Sequence, residues 1–378
     1  MDLIYLDNNA TTPLLPAVWE AMRPFAVEAY GNPASAHAAG RRARRGLEDA
    51  REQTAALLGA RPDEVVFTSG ATEANNLALF GLAGDPPGRL LASPVEHPSV
   101  SEPLRQLAAS GFSLEGPPVD AEGVVDADAL CRLWRSDTRL IAVMLANHET
   151  GTVQPVADLA RQLDGRAAFH CDATQAVGRL PVHFGDLGVT TLALSAHKFH
   201  GPKGVGALLL RRGTKLRPRA WGGHQQQGRR PGTEAVALAV GLAAALDLAC
   251  REMEQRTQMV RSLRDQFLAG LRETAGPVVL NGPASGGVPH TVNVSFPGLK
   301  ADALLMSLDL ADVACSTGSA CSSGSLLPSP VLRAMGASEL LSAMRFSLSA
   351  LLTPAEIDEA VRRIAAAVRR LRHGAALE

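Results

Sequence analysis

The chain has 378 residues, 46% hydrophobic and 20% charged, with a formal net charge of −1. That length supports two domains and a large buried core, and so even a charge balance points to neither nucleic acid nor an anionic membrane as a direct partner. No apolar run reaches the roughly 20 residues of a membrane span, and Met1-Asp2-Leu3-Ile4-Tyr5 lacks the basic-then-apolar pattern of a secretory signal, so a cytoplasmic location is expected.

In chain order, Leu3 to Leu6 is short and apolar, and Asp7-Asn8-Asn9-Ala10-Thr11-Thr12-Pro13 reads as a turn before a helix from about Pro16. A second turn, Asn32-Pro33-Ala34-Ser35, precedes a helix from about His37 to Leu58. Its Arg41-Arg42-Ala43-Arg44-Arg45 patch reads as a solvated face, given Glu48, Asp49 and Glu52. Glu64 to Thr68 is a buried strand running into Ser69-Gly70-Ala71-Thr72-Glu73 and a helix to about Leu82. Strand, glycine turn and helix start together offer free N–H groups and a positive dipole end to an anion. The sequence is no Walker A loop, so one cofactor phosphate fits better than a triphosphate, and a capped helix with nothing bound fits equally well.

The alternation continues. Arg89 to Ala92 is a strand ending in Glu96-His97-Pro98, with a helix to about Ala109. Arg139 to Leu145 ends in Asn147-His148-Glu149-Thr150-Gly151, followed by a helix from Val156. Ala167 to Cys171 ends in Asp172-Ala173-Thr174-Gln175. Leu192 to Leu194 and Val205 to Leu210 close the series. Strands alternating with helices predict a largely parallel α/β sheet, whose ligands bind at the carboxyl ends of strands, where all these polar residues fall.

Between the last two strands stands Ser195-Ala196-His197-Lys198-Phe199-His200-Gly201-Pro202-Lys203, which holds two of the chain's four lysines. A lysine desolvated at a strand end becomes a nucleophilic amine, a task arginine cannot perform. Taken alone, the stretch also fits a surface turn with two solvated lysines. Trp221 to Glu234 is a long flexible loop, followed by a helical stretch to about Ala275 that turns polar after Arg251. Beyond it the pattern changes to a strand (Thr291–Phe296), a helix (Ala301–Leu308), a Ser/Gly-rich loop (Cys315–Ser325) and a strand near Met344–Leu348. A helix from Pro354 to about Leu371, N-capped by Thr353, closes the chain. The expected division is a large α/β domain over 13–256 and a small α+β domain over 1–12 plus 257–378. Five cysteines, Cys131, Cys171, Cys250, Cys315 and Cys321, form neither a disulfide framework nor a paired metal motif.

These stretches resemble, nearly end to end, the cysteine desulfurases, pyridoxal-phosphate enzymes of the class V aminotransferase family, of the long-loop group I type. The most specific pieces are Ser195-Ala196-His197-Lys198 and Ser316-Thr317-Gly318-Ser319-Ala320-Cys321-Ser322-Ser323. The resemblance implies a fold-type I architecture, a mainly parallel large domain with a smaller α+β domain, working as a homodimer. It implies that Lys198 holds pyridoxal 5'-phosphate covalently and that Asp172 pairs with the pyridine nitrogen, keeping the ring an electron sink. Gln175 would bond the ring hydroxyl oxygen, and His97 would stack on the ring and move protons. Ala71, Thr72, Ser195 and His197 would hold the phosphate, and Thr233 would reach the partner subunit's phosphate. Asn147 and Arg345 look like the substrate carboxylate clamp, the arginine fork meeting both oxygens at once.

Cys321 would be the nucleophile, on a loop whose glycines and serines allow movement. The implied reaction converts L-cysteine to L-alanine and leaves the sulfur as a persulfide on Cys321, for iron–sulfur cluster assembly or tRNA or cofactor thiolation through a sulfur-acceptor protein. Attack needs the thiolate, with His97 a possible proton acceptor. No resident metal is expected, although Cys321 could ligate a transferred iron–sulfur cluster, and Cys315 reads as structural. A selenocysteine lyase or another class V aminotransferase is the alternative. A non-catalytic scaffold would be expected to lack Lys198, Asp172 or Cys321. The chain departs from the family pattern at Gln226, where glutamate is usual, at Leu327 and Pro330, where glutamate and histidine are usual, and at His148, where asparagine is usual.

Overall fold

A computed structural model describes residues 2–317, 329–337 and 342–375. Its first part runs β1 (Ile4–Tyr5), α1 (Pro16–Val27), α2 (Ala38–Leu57), β2 (Val65–Thr68), α3 (Ala71–Leu82), β3 (Arg89–Ala92), α4 (Pro98–Ala109), β4 (Ser113–Glu115), α5 (Ala127–Leu133) and β5 (Thr138–Ala142). It continues with α6 (Val156–Leu163), β6 (Ala168–Asp172), α7 (Phe184–Leu187), β7 (Thr191–Ser195), β8 (Gly206–Leu210) and α8 (Val236–Arg251). The remainder is α9 (Met253–Thr274), β9 (Val279–Asn281), β10 (Thr291–Ser295), α10 (Ala301–Asp309), β11 (Val313–Ala314), α11 (Pro330–Ala334), β12 (Ala343–Ser347) and α12 (Pro354–Ala375).

Seven strands form one sheet in the order β2-β8-β7-β6-β5-β3-β4. Only β8 runs against its neighbours. The expected mainly parallel sheet is present. Helices cover both faces, so its central strands read as continuous apolar runs. Alternate side chains still divide between the faces. Phe169, Cys171, Leu192 and Leu194 join the core beneath α1, α2 and α8, whereas Ala193 and Leu208 pack against α3. His170 and Asp172 therefore share the α3 face, and that parity positions the site.

A second core gathers α9, α10 and α12 against β10 and β12, with Ile4 and Leu6 from the N-terminus. β9, β10 and β12 make a three-stranded antiparallel sheet, and β1 pairs with β11. The helical stretch expected to run to Ala275 is two helices, broken at Glu252 (φ −100°, ψ 6°). α8 serves the first core and α9 the second, so one straight helix could not bury both apolar faces. The strand expected to reach Leu145 leaves regular pairing after Ala142, although the N–H groups of Val143 and Leu145 still donate to His170 and Asp172. Thr353 caps α12 as expected, in a reciprocal box with Glu356. Among the described residues no helix is long and apolar enough to cross a membrane.

Candidate active site

The carboxyl ends of β2, β3, β6 and β7 open onto a cavity of about 470 Å³. β7 is wholly buried and delivers Ser195, and a short 3₁₀ turn over Ala196–Lys198 then swings His197 and Lys198 into it. β8 returns so tightly that a Cβ on Gly206 would lie 2.5 Å from the Leu194 carbonyl and 2.8 Å from Gly70. Only glycine lets that strand pass against the Ser69-Gly70 turn. The turn feeds α3, whose first N–H groups have no intrahelical acceptor and open towards the cavity beside Ser69, Gly70, Ala71 and Thr72. Exposed Lys203 adds a cation at this end.

Lys198 Nζ donates to the carbonyls of Asn9 (2.5 Å) and Ala10 (2.9 Å), which brings the N-terminal turn over the site. Asn9 is itself pinned, its N–H by Ser347 Oγ and its amide by Thr291 Oγ1. Half-buried Arg179 laces the same place, donating to the carbonyls of Lys198 (3.0 Å) and Asn8 (3.2 Å) and touching Gln175 Oε1. Gln175 Nε2 donates to Asn9 O at 3.1 Å.

Asp172 is buried with both oxygens engaged: Oδ2 accepts from Asn75 Nδ2 (2.8 Å) and Oδ1 from the Thr174 N–H (2.9 Å). His97 caps α4, its Nδ1 accepting from the Ser99 N–H at 3.0 Å with Ser99 Oγ at 2.8 Å. A neutral His97 therefore carries its proton on Nε2. Burial lowers its pKa, the Asp172 charge opposing, and Lys198 and Arg345 lower it further. His97 thus presents a donor at Nε2, which counts against its taking the Cys321 proton in the resting state. His197 is held neutral, down to about 4, first by burial and then by Lys198 and Lys203; its Nδ1 meets Thr11 Oγ1 at 3.2 Å.

On the β12 side, Arg345 is buried and donates to Asp7 Oδ1 (2.9 Å) and the His148 carbonyl (3.2 Å). Among the described residues its Nε is buried with no partner. Asn147, expected beside it as a clamp, has its amide spent within the loop: Nδ2 donates to Val95 O (2.9 Å) and Oδ1 accepts from the N–H groups of Glu149 and Thr150. It shapes the loop that carries His148, whose ring meets His97 edge-on at 5.0 Å. The described ends of the segment containing Cys321 are fastened nearby: Ser316 exchanges backbone hydrogen bonds with Arg345, and Ser329 donates to Glu149 Oε2 at 2.6 Å. Cys321 and Leu327 lie outside the described residues. Cys315 packs against the second core, and burial pushes its thiol up to about 12, which fits a structural cysteine.

Thr233 is exposed and not brought to this cavity. Its loop is anchored by Gln226, which holds a left-handed conformation (φ 50°). Gln226 Oε1 accepts from Arg51 and the Phe67 N–H while Nε2 donates to Glu234. A carboxylate at 226 would face Glu234 with no proton to share, so the amide suits this chain. Pro330 begins α11 with Ser329 as its N-cap, the position where a fixed φ and a missing N–H cost nothing.

The Aminotransferase class-V model matches residues 4–360. The chain belongs to that family. It is 45% identical over 363 residues to "Cysteine desulfurase IscS" of Dictyoglomus turgidum, covering 94% of this chain and 92% of that one. It is 40% identical to "Cysteine desulfurase NifS" of Azotobacter vinelandii, covering 98% and 94%. Among solved structures, a NifS-like protein superposes with a TM-score of 0.92 at 36% identity, covering 98% of this chain and all of that one. SspA in complex with cysteine gives 0.82 at 33%, covering 92% and 99%. Class V members are pyridoxal-phosphate-dependent enzymes. The cavity suits that cofactor: a helix N-terminus for the phosphate, a buried carboxylate for the ring nitrogen, and an amine beside them. Thr174 Oγ1, buried and without a partner among the described residues, also lines it.

Sequence reading missed Asn75, Ser99, Thr174, Arg179 and the lysine at 203 as parts of this site. Asn75 stood in view within the Glu73-Ala74-Asn75-Asn76 helix start, but nothing local distinguishes it from a solvated asparagine. Among the described residues no group of three or more His, Cys, Asp or Glu could hold a metal ion.

Proposed function

We propose that this chain is a cysteine desulfurase that converts L-cysteine to L-alanine and passes the sulfur, through a persulfide on Cys321, to an acceptor protein. The observation that carries this reading is the meeting of Lys198, Asp172, His97 and the α3 N-terminus at one cavity. Bound pyridoxal phosphate supplies an electron sink that stabilises negative charge at the substrate Cα. Asp172, oriented by two donors, would accept from the pyridine N–H. Gly70, Ala71, Thr72, Ser195 and His197 take the phosphate, with Lys203 beside them. Gln175 keeps an amide hydrogen for the ring hydroxyl.

Lys198 would hold the cofactor, and its free amine, oriented by the carbonyls of Asn9 and Ala10, would take the substrate Cα proton. Arg345 meets the substrate carboxylate, which supplies the acceptor its Nε lacks. Asn147 assists by fixing the adjoining loop. Cys321 thiolate attacks the substrate sulfur, and the Cβ–S bond breaks with its electron pair staying on the substrate carbon. The substrate, now one sulfur poorer, gains protons to become alanine, and the sulfane sulfur remains on Cys321. The enzyme works as a homodimer in the cytoplasm, each Thr233 serving the other subunit's phosphate; its exposure away from its own cavity supports this. The acceptor is an iron–sulfur scaffold or a thiolation enzyme.

The test is purified protein with L-cysteine and a reductant, following alanine and sulfide. Cys321→Ser is expected to keep the yellow cofactor band and make no sulfide. Full desulfuration by that variant would remove Cys321 from its role.

A further inference from the structure

His170 lies two residues before Asp172 on β6, so both side chains point to the α3 face, where Asn75 stands between them. Asn75 Nδ2 donates to Asp172 Oδ2 (2.8 Å) and to Ser99 Oγ (2.8 Å). Its Oδ1 meets His170 Nε2 at 3.0 Å, and His170 Nδ1 meets Thr191 Oγ1 at 2.9 Å. Thr191 sits opposite His170 in the β6–β7 register. The partners fix every proton. A carboxylate accepts only, so the amide nitrogen must face Asp172; Oδ1 is then an acceptor, His170 must be Nε2–H, and the Thr191 hydroxyl must donate to Nδ1.

We propose that His170 and Asn75 are positioning residues, forming with Thr191 a one-directional donor chain, Thr191 to His170 to Asn75 to Asp172, that aims the carboxylate facing the cofactor ring. The assignment of Asp172 to the ring nitrogen rests on the function proposed above. His170 and Asn75 are both fully buried, and neither lines the cavity. Nothing in packing alone calls for an imidazole and an amide there, and a chain of donors polarised in one sense strengthens its terminal bond. Burial keeps His170 neutral, down to about 4, with the Asp172 charge opposing, as a donor chain of neutral groups requires. Through Ser99, Asn75 also holds the residue that caps onto His97, so the two groups flanking the ring share one support.

The test compares wild type with His170→Phe, His170→Gln and Asn75→Leu, in two arms. In the first, nitrogen NMR of histidine-labelled protein without cofactor reads the His170 tautomer. Nε2–H is expected; Nδ1–H overturns the chain whatever the variants do, including when none of them folds. In the second arm, on protein loaded with pyridoxal phosphate, His170→Phe and Asn75→Leu are expected to lower kcat about 10- to 100-fold with KM little changed, the scale of one hydrogen bond to a charged group. Both should shift the cofactor absorption band. His170→Gln, whose amide can still donate to Asn75, should recover most of the loss. A His170→Phe protein with wild-type band and kcat and only a lowered Tm would reduce His170 to packing and sink the proposal. Wild type that never takes up the cofactor would instead refute the functional reading, leaving the NMR arm to judge the chain.

Discussion

Asp172 reaches the cavity with both oxygens already occupied, by Asn75 and by the Thr174 N–H, whereas Arg345, supplied from β12, keeps a buried Nε without an acceptor among the described residues. The contrast extends to their neighbours. On the sheet side, His97, Ser99, Asn75 and His170 are linked by a continuous run of hydrogen bonds, although Thr174 Oγ1 and Glu96 Oε2 there are buried without partners among the described residues. On the other side, His148 Nδ1 is buried and unpartnered among the described residues, and Glu149 is pushed up to about 7 by burial, with Ser329 and Arg345 opposing. A buried polar atom left unmade costs about 1–3 kcal/mol. The bonds that hold Asp172 are thus in place before any ligand arrives, as suits a resident cofactor. On the β12 side a docked carboxylate would supply the acceptor that Arg345 Nε lacks among the described residues, as suits a substrate that comes and goes.

Lys198→Ala breaks the comparison where the two sides meet. Turnover is expected to fall at least about 10³-fold, since both the covalent hold and the proton acceptor are lost. The sheet side should still retain the cofactor non-covalently, which dialysis and absorbance would show. Failure of the variant to bind any cofactor would mean that the sheet side is not sufficient. Arg345→Ala tests the other side: kcat/KM for cysteine should fall about 100-fold, chiefly through KM, with cofactor affinity unchanged. Arg345→Lys should restore little, because a point charge lacks the fork. A matching loss of cofactor affinity would erase the distinction drawn here. Ser329→Ala removes both the α11 cap and the donor to Glu149, and should cost about 1–2 kcal/mol in denaturant unfolding.

Much of this was legible because the chemistry is displayed at strand ends. Ser195-Ala196-His197-Lys198, the Ser69–Thr72 turn and Asp172 each follow a buried apolar run, and a parallel sheet brings such ends together. What stayed hidden depends on partners distant in the chain. Asn147 looks like part of a carboxylate clamp, yet its bonds to Val95, Glu149 and Thr150 engage its amide. Arg179 looks like any arginine in a turn until Asn8 and Lys198 close around it. The break at Glu252 was signalled only by the change to polar sequence after Arg251, because helix propensity continues through it. β1 and β11 are two residues each, too short for a period to declare itself.

The smallest effect separates the two sides by pH. Glu96 lies beneath His97, its Oε1 accepting from Ser93 Oγ and the Met144 N–H. Burial pushes it up from 4.5 to about 8, those two donors opposing. Between those values the folded chain holds a proton that the unfolded chain has released. Its contribution to stability is therefore full at low pH and is lost as pH rises through the window, by at most about 1.4 kcal/mol per pH unit. His170, His197 and His200, lowered to about 4 by burial, act in the opposite sense, their contribution being lost as pH falls below 6.5. Glu149, raised to about 7, shares the sense of Glu96 but stops sooner. Urea unfolding between pH 7 and 8 therefore weights Glu96 over Glu149. Wild type should lose stability across that interval and Glu96→Gln should lose less, since an amide has no proton to give up. Equal slopes for the two proteins would place Glu96 among ordinary carboxylates.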